Sequence, residues 1–289
     1  MPSASTITAI LHRQGGIAGA APAGRKPFAR FERAAPNELW QMDYKGHFAT
    51  RAGRCHPLTV VDDHSRYAVG LEACANEQRR TVQQRLELTF RRYGLPDAFF
   101  VDNGTPWGDA SGQHWTRLGV WLLKLGIGVL HSRPYHPQSR GKNERFHRTL
   151  KAEVFALRPF RDLAQVQAAL DRWRTIYNLD RPHQALGQQV PASRYQASLR
   201  AMPDRPAEAE YDQHEIVRRV GSTKAYLSFK GRLWKVPEAF CGERLAIRAR
   251  QPDGQYGVFF GAYQIANIDL TQTKCVGDVS EQVSVMSSG

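Results

Sequence analysis

The 289-residue sequence has only four cysteines, Cys55, Cys74, Cys241 and Cys275. They are widely separated and form no CxxC pair. That argues against a zinc knuckle and a disulfide framework, and fits a reducing compartment. No run of about 18 apolar residues occurs, so no transmembrane helix is expected. The N-terminus has no basic segment followed by an apolar one, so no secretory signal is expected. Acid is in deficit: 27 Asp and Glu stand against 40 Lys and Arg, a formal net charge of +13. A chain this basic works next to a polyanion, and nucleic acid is the leading candidate. An anionic membrane is the rival, but the positive charge is spread through apparent core elements and not gathered in one amphipathic segment. A hydrophobic content of 42% is enough for a real core.

What the chain does have is the stretch PYHPQSRGKNERFHRTLKAEV, residues 134–154, with Glu144 among Arg140, Lys142, Arg145, His147, Arg148 and Lys151. No proline occurs from Gln138 to Arg158, and the run reads as a helix. Phe146, Leu150, Val154 and Leu157 fall on one stripe, the expected buried side. Arg140, Glu144, Arg148 and Lys151 cluster on another face. A solvated salt-bridge face is the ordinary reading of such a run. Two acids upstream, Asp43 and Asp102, change it, because each sits in or at the end of a strand-like stretch.

Taken in order, residues 1–36 read as a remnant helix (1–17) and a basic linker. An α/β core is expected over 37–158. LWQMDYKGHFAT, CHPLTVVDDHS and RYAVGLEACA form a three-strand antiparallel meander. A helix follows over QRRTVQQRLELTFRRYG, then a short strand ending at Asp102, a helix over HWTRLGVWLLKLG, a fifth strand over IGVLHSRP, and the Glu144 helix. Residues 159–202 are expected to be a helical extension, 203–212 a linker and 272–289 a flexible tail. Short alternating segments over 213–271, punctuated by Gly, Pro and Asp, predict a small β-barrel.

Asp102 is well placed for chemistry, since catalytic groups of α/β folds gather at the C-terminal ends of strands. Asn103-Gly104 supplies the sharp turn that exposes it. Three carboxylates brought together repel one another unless cations compensate. Two Mg²⁺ ions would do so, one activating the attacking oxygen and one stabilising the leaving oxygen at phosphorus. Oxygen donors suit Mg²⁺ or Mn²⁺, and nothing in the sequence argues for zinc.

The strings PNELWQMDYKG, VVDDHSRYAVG, FFVDNGTPWG, LGIGVLHSRPYHPQSRGKNERFHRTL, YNLDRPHQALG and PASRY together resemble the insertion-sequence transposases of the DDE, retroviral-integrase superfamily. The resemblance covers roughly residues 28 to 200. It implies a ribonuclease-H-like fold: a mixed five-stranded sheet flanked by helices, followed here by a helical segment and a small C-terminal β-barrel. It carries the family's catalytic, metal-binding acids onto Asp43, Asp102 and Glu144. It implies two Mg²⁺ ions, with Mn²⁺ able to substitute, and DNA cleavage and strand transfer at element ends without a covalent protein–DNA intermediate. It also implies a homodimer or higher oligomer on DNA, since two ends must be held together, in a bacterial cytoplasm at the nucleoid.

Two features depart from the family's pattern. The Asp102-to-Glu144 spacing is longer than usual, and the extra length falls in WGDASGQHW. Helix-turn-helix modules expected upstream are represented only by one apparent last helix. An N-terminally truncated, DNA-binding regulator of transposition is therefore the alternative, and a nuclease that only hydrolyses is another. Arg140, Lys142, Arg145, Arg148 and Lys151 are assigned to DNA, the alternative being balance against nearby acids. Asp62 and Asp63 suit a hairpin turn more than a metal. His136 and His147 could be metal ligands but suit phosphate contact or capping better, and Trp107 and Trp115 suit packing more than base stacking.

Overall fold

The computed structural model describes residues 32–108, 115–131, 141–156 and 159–271. The expected remnant helix and the tail from 272 lie outside the described residues.

The first strands form a meander. β1 (Trp40–Tyr44), β3 (Gly53–Asp62) and β4 (Ala68–Cys74) pair antiparallel, and the short β2 (Phe48–Thr50) pairs with the beginning of β3. β5 (Ala98–Val101) lies parallel to β1, and β6 (Gly128–His131) parallel to β5. The strand order β4-β3-β1-β5-β6 is the mixed ribonuclease-H-like sheet that was expected, with β2 in addition.

Side chains alternate across this sheet because the strand period is two. Trp40 and Met42 of β1 face one side with Phe99 and Val101 of β5. There they meet α1 (Arg79–Tyr93), through Val82, Leu86 and Phe90, and α2 (Arg117–Lys124), through Leu118 and Leu122. Thr116 caps α2, its hydroxyl accepting from the Gly119 amide at 3.1 Å. The other face carries Val61, Leu71 and Ala73, covered by α3 (Gly141–Leu150) and α4 (Leu163–Leu179). Phe146, Leu150 and Val154 are buried as the stripe predicts, although α3 gives way to a π-helical turn over Lys151–Phe155. Leu157 of that stripe lies outside the described residues. The sheet is thus held between two helical layers.

α4 also closes the outer edge of β4. Asn178 accepts from the Ala68 amide at 2.8 Å and donates to the Ala68 carbonyl at 3.1 Å. Gln167, further up the helix, accepts from the Ala73 amide at 2.8 Å and donates to the Leu71 carbonyl at 3.1 Å. An edge strand exposes a row of unpaired amides and carbonyls, and here helix amides satisfy part of it.

The expectation of helix up to residue 200 is corrected. After Leu179 only two 3₁₀ turns form, Gln184–Leu186 and Pro191–Arg194, because Pro182, Gly187 and Pro191 interrupt helical pairing. The rest is a strap. The Arg200 guanidinium pins it, donating to the carbonyls of Pro96 (2.8 Å), Leu125 (3.1 Å) and Gly126 (2.9 Å).

The C-terminal region contains β7 (Ile216–Arg219), β8 (Tyr226–Phe229), β9 (Arg232–Lys235), β10 (Arg244–Arg250), β11 (Gln255–Phe260) and β12 (Tyr263–Asp269). Where a small β-barrel was expected, antiparallel strands form, with no ladder closing them into one sheet among the described residues. A four-stranded antiparallel sheet, β12-β11-β10-β7, faces a separate β8-β9 hairpin. The turn at Gly221 and the 3₁₀ turn Glu238–Phe240 after Pro237 separate the two ladders. Both sheets share one apolar core, including Leu227, Phe229, Phe240, Leu245, Ile247, Val258 and Phe260. Val120 of α2 enters that core, and Lys124 pairs with Glu243 at 2.8 Å. α2 therefore belongs to two cores, with Leu118 and Leu122 on one side and Val120 on the other. Among the described residues no helix is long and apolar enough to cross a membrane.

Candidate active site

Asp43 and Asp102 stand at corresponding ends of two paired parallel strands. β1 and β5 run parallel with Trp40 opposite Phe99 and Gln41 opposite Phe100. The same offset, continued along both strands, sets Asp43 level with Asp102. Alternation puts both carboxylates on the sheet face opposite Trp40 and Met42, the face that α3 covers.

Asp102 opens the loop after β5, and its Oδ1 accepts from the Gly104 amide at 2.9 Å, as the Asn103-Gly104 turn predicts. The loop folds back on β1: the Trp107 ring stacks on Tyr44 with centroids 5.8 Å apart. Trp107 is buried packing, as expected. Gly108 permits the closure, since a Cβ there would sit 2.5 Å from the Asn103 carbonyl oxygen. His131, at the end of β6, bonds through Nδ1 to the Asp102 carbonyl at 3.1 Å.

Glu144 lies on the exposed side of α3, while Asn143, Phe146 and His147 are buried beneath it. His147 fixes the helix to the sheet. Its Nε2 is 2.8 Å from the Thr59 hydroxyl, and its Nδ1 is 3.9 Å from Asp43 Oδ2. Thr59 is paired with Asp43 across β3 and β1, and its hydroxyl donates to the Asp43 carbonyl at 2.9 Å. Burial, with the Lys45 charge adding to it, pushes the His147 pKa down to about 4, so the ring is neutral at pH 7.

The register thus directs Asp43 and Asp102 towards the same end of adjacent strands, and Glu144 is carried by the helix whose His147 lies 3.9 Å from Asp43. Among the described residues no three acid, His or Cys side chains are gathered into a metal-binding cluster. The donor chemistry would suit Mg²⁺: Asp43 and Asp102 offer carboxylate oxygens, and Glu144 offers a third on the helix that covers this face.

The neighbouring acids are structural. Asp62 is fully buried and accepts from the Asn37 amide (2.8 Å) and from the amide (2.8 Å) and hydroxyl (2.6 Å) of Ser65. Asp63 accepts from Gln41 Nε2 at 2.6 Å and from Lys142 Nζ at 2.5 Å. Of the cations assigned to DNA, Lys142 is thus held by an acid. Arg145, Arg148 and Lys151 are exposed. Arg140 and His136 lie outside the described residues, as does part of the WGDASGQHW loop.

Thr59 and His131 escaped the sequence reading, and His147 was weighed as a metal ligand, with phosphate contact or capping preferred. The available signal was positional: Thr59 shares the alternation of Val61, and His147 lies one helical turn after Glu144, beside Phe146.

Residues 33–137 and 125–191 each match a family model described as an integrase core domain, and residues 215–275 match the C-terminal domain of the IS481 family transposases. The chain is 30% identical over 174 residues to an uncharacterized 31.7 kDa protein of insertion element IS407 from Burkholderia multivorans, covering 60% of each. It is 29% identical over 165 residues to an uncharacterized 39.2 kDa protein of insertion element IS476 from Xanthomonas euvesicatoria, covering 57% of this chain and 46% of that protein. The chain thus spans between 46% and 60% of these relatives' lengths. A solved chain of the simian T-cell lymphotropic virus intasome, in complex with PP2A regulatory subunit B56 gamma, is 17% identical with a TM-score of 0.48, covering 94% of this chain and 93% of that one. With integrase-core matches running from residue 33 to 191 and a transposase C-terminal match behind them, the chain carries an integrase core domain followed by a C-terminal domain like that of the IS481 family transposases.

Proposed function

We propose that this chain is a DDE transposase that cleaves DNA at insertion-sequence ends and transfers the freed strand to target DNA. The observation that supports the reading is the parallel pairing of β1 with β5, Trp40 opposite Phe99 and Gln41 opposite Phe100, a register that continued would bring Asp43 level with Asp102 on the sheet face covered by the helix that bears Glu144. These three residues would hold two Mg²⁺ ions, or Mn²⁺ in their place. Bound there, the ions would lower the charge repulsion at phosphorus and favour ionisation of the attacking hydroxyl.

The reaction has two displacements. Water attacks the phosphodiester at the element end, breaking the P–O3′ bond and leaving a 3′-hydroxyl. That hydroxyl attacks a target phosphodiester and displaces the target's own 3′-oxygen, so one bond forms for each that breaks. Asp43, Asp102 and Glu144 position the reacting groups. Arg145, Arg148 and Lys151, with Arg140, contact DNA phosphates beside them. Lys142 serves DNA only together with its Asp63 pair. Two element ends require at least a dimer on DNA.

A strand-transfer assay tests this. The chain is incubated with Mg²⁺ or Mn²⁺, a pre-cleaved element-end duplex and a plasmid target, with Asp102→Asn in parallel. Joined products that the variant fails to make support the reading. Cleaved but never joined DNA would assign a nuclease instead, and binding with neither product a regulator.

A further inference from the structure

Phe146 and Leu150 seat α3 on the sheet. An apolar stripe decides which side of a helix faces down, but it lets the helix roll about its axis. Two polar ties oppose that roll. At about 100° per residue, Lys142 leaves α3 roughly 60° to one side of the Phe146–Leu150 line and His147 roughly 80° to the other. On one flank Lys142 Nζ meets Asp63 Oδ1 at 2.5 Å, and on the other His147 Nε2 meets the Thr59 hydroxyl at 2.8 Å. Glu144 lies on the His147 flank, further round, so the roll angle sets where its carboxylate stands.

Asp63 is bound in turn to the strand of Asp43. Its Oδ1 also accepts from Gln41 Nε2 at 2.6 Å, its Oδ2 accepts from the Arg33 amide at 3.0 Å, and its own amide donates to the Leu39 carbonyl at 2.9 Å. Gln41 stands two residues before Asp43 and shares its face of β1. One carboxylate thus joins the strand of Asp43 to the helix of Glu144. The arrangement is a costly one. The Asp63 side chain is 0% exposed, and Gln41 Oε1 is buried with no hydrogen-bond partner among the described residues. A buried ion pair is often no more stable than apolar side chains of similar volume. Stability alone therefore does not account for three polar side chains here, whereas a fixed register does.

Resting on the reading that Asp43 and Glu144 act together on DNA, we propose that Asp63, through Lys142, is a positioning residue for strand transfer. It sets the roll of α3, and so the place of Glu144 relative to Asp43. It is a fourth acid that the reaction requires, and it touches neither the DNA nor the reacting atoms.

The test separates register from stability by making the network apolar in the full chain, as Gln41→Met/Asp63→Leu/Lys142→Met. One acid and one base leave together, so net charge is unchanged. The triple variant is expected to unfold in urea at the wild-type midpoint or above it. It is expected to bind duplex DNA with the wild-type affinity and salt slope. At saturating DNA it is expected to join a pre-cleaved element end about tenfold to a hundredfold more slowly. Joining at the wild-type rate overturns the proposal. Weaker DNA binding with a normal rate at saturation overturns it too, and makes Lys142 a DNA contact. Should the triple variant fail to fold, Lys142→Ala and Lys142→Arg are compared where both are folded. A rate lost in the first and kept in the second, which retains a cation on Asp63, supports the proposal, and equal rates overturn it. A wild-type chain that binds DNA and joins nothing overturns the transposase reading and this proposal with it.

Discussion

Lys142 reaches from α3 to the turn after β3 and places its ammonium 2.5 Å from Asp63 Oδ1. The Asp63 side chain is 0% exposed and that of Lys142 20% exposed. This pair and the His147–Thr59 bond are two separate ties between the Glu144 helix and the meander that bears Asp43. The position of Glu144 over the sheet is therefore fixed by polar contacts as well as by Phe146 and Leu150.

Removing one partner of a pair this buried leaves an uncompensated charge. Asp63→Ala is expected to cost about 3 kcal/mol of stability, and Lys142→Ala roughly 2. A double-mutant cycle by urea unfolding should show coupling between the two. Arg148→Ala removes an exposed cation and is expected to change stability by less than about 0.5 kcal/mol. Unchanged stability in Lys142→Ala would mean that the pair does no structural work and that Lys142 is available to DNA.

The edge of β4 provides a second measurement. Asn178 is 3% exposed and bonds both polar groups of Ala68. Asn178→Leu would leave a buried amide and a buried carbonyl unpaired, at about 2–3 kcal/mol. Asn178→Asp keeps the acceptor for the Ala68 amide but sets a buried carboxylate against the Ala68 carbonyl, so it should cost at least as much. Hydrogen exchange at the Ala68 amide should accelerate in Asn178→Leu and stay slow in Asn178→Asp. Equal protection in both variants would mean that α4 does not guard this edge.

Glu72 of β4 gives the chain a pH dependence. Burial raises its pKa above the ordinary glutamate value, and Asp171 adds to this against the opposing charges of Arg85 and Arg174. The folded form therefore holds the proton more tightly than the unfolded chain does. The stability from this group is fully present below the unfolded pKa near 4.5 and is lost as pH rises through the raised folded value. Glu72→Gln should flatten that part of the curve and leave the variant more stable than the wild type at pH 7. Superimposable curves for the two proteins would remove Glu72 as the cause.

Legibility in the sequence followed the range of the interactions. The meander, the two parallel strands and α1 were readable because alternation and the i, i+4 stripe of Val82, Leu86 and Phe90 are local signals. Asp102 was readable for the same reason, since Asn103-Gly104 turns the chain directly after it. The Lys142–Asp63 pair joins residues 79 positions apart, and the His147–Thr59 bond residues 88 apart. No local pattern encodes either one. The C-terminal strands were legible individually from their Gly and Pro punctuation. Their closure was not, because it depends on which strands pair, and Gly221 and Pro237 interrupt pairing between the hairpin and the sheet.

The exposed cations of α3 lead to the last prediction. Arg145 and Arg148 project from the helix that bears Glu144, in a chain of net charge +13. Each phosphate neutralised releases counterions, so log affinity for duplex DNA should fall linearly with log salt. Arg145→Ala and Arg148→Ala should each weaken binding for every DNA sequence alike and reduce that slope by roughly one. Asp102→Asn takes away a negative charge from the same face. It should abolish cleavage and joining while binding DNA as tightly as the wild type or more so. Fluorescence anisotropy across a salt series separates the two kinds of residue. A slope unchanged in both arginine variants would move the DNA to another face of the protein. Asp102→Asn that cleaves at the wild-type rate would remove Asp102 from the site.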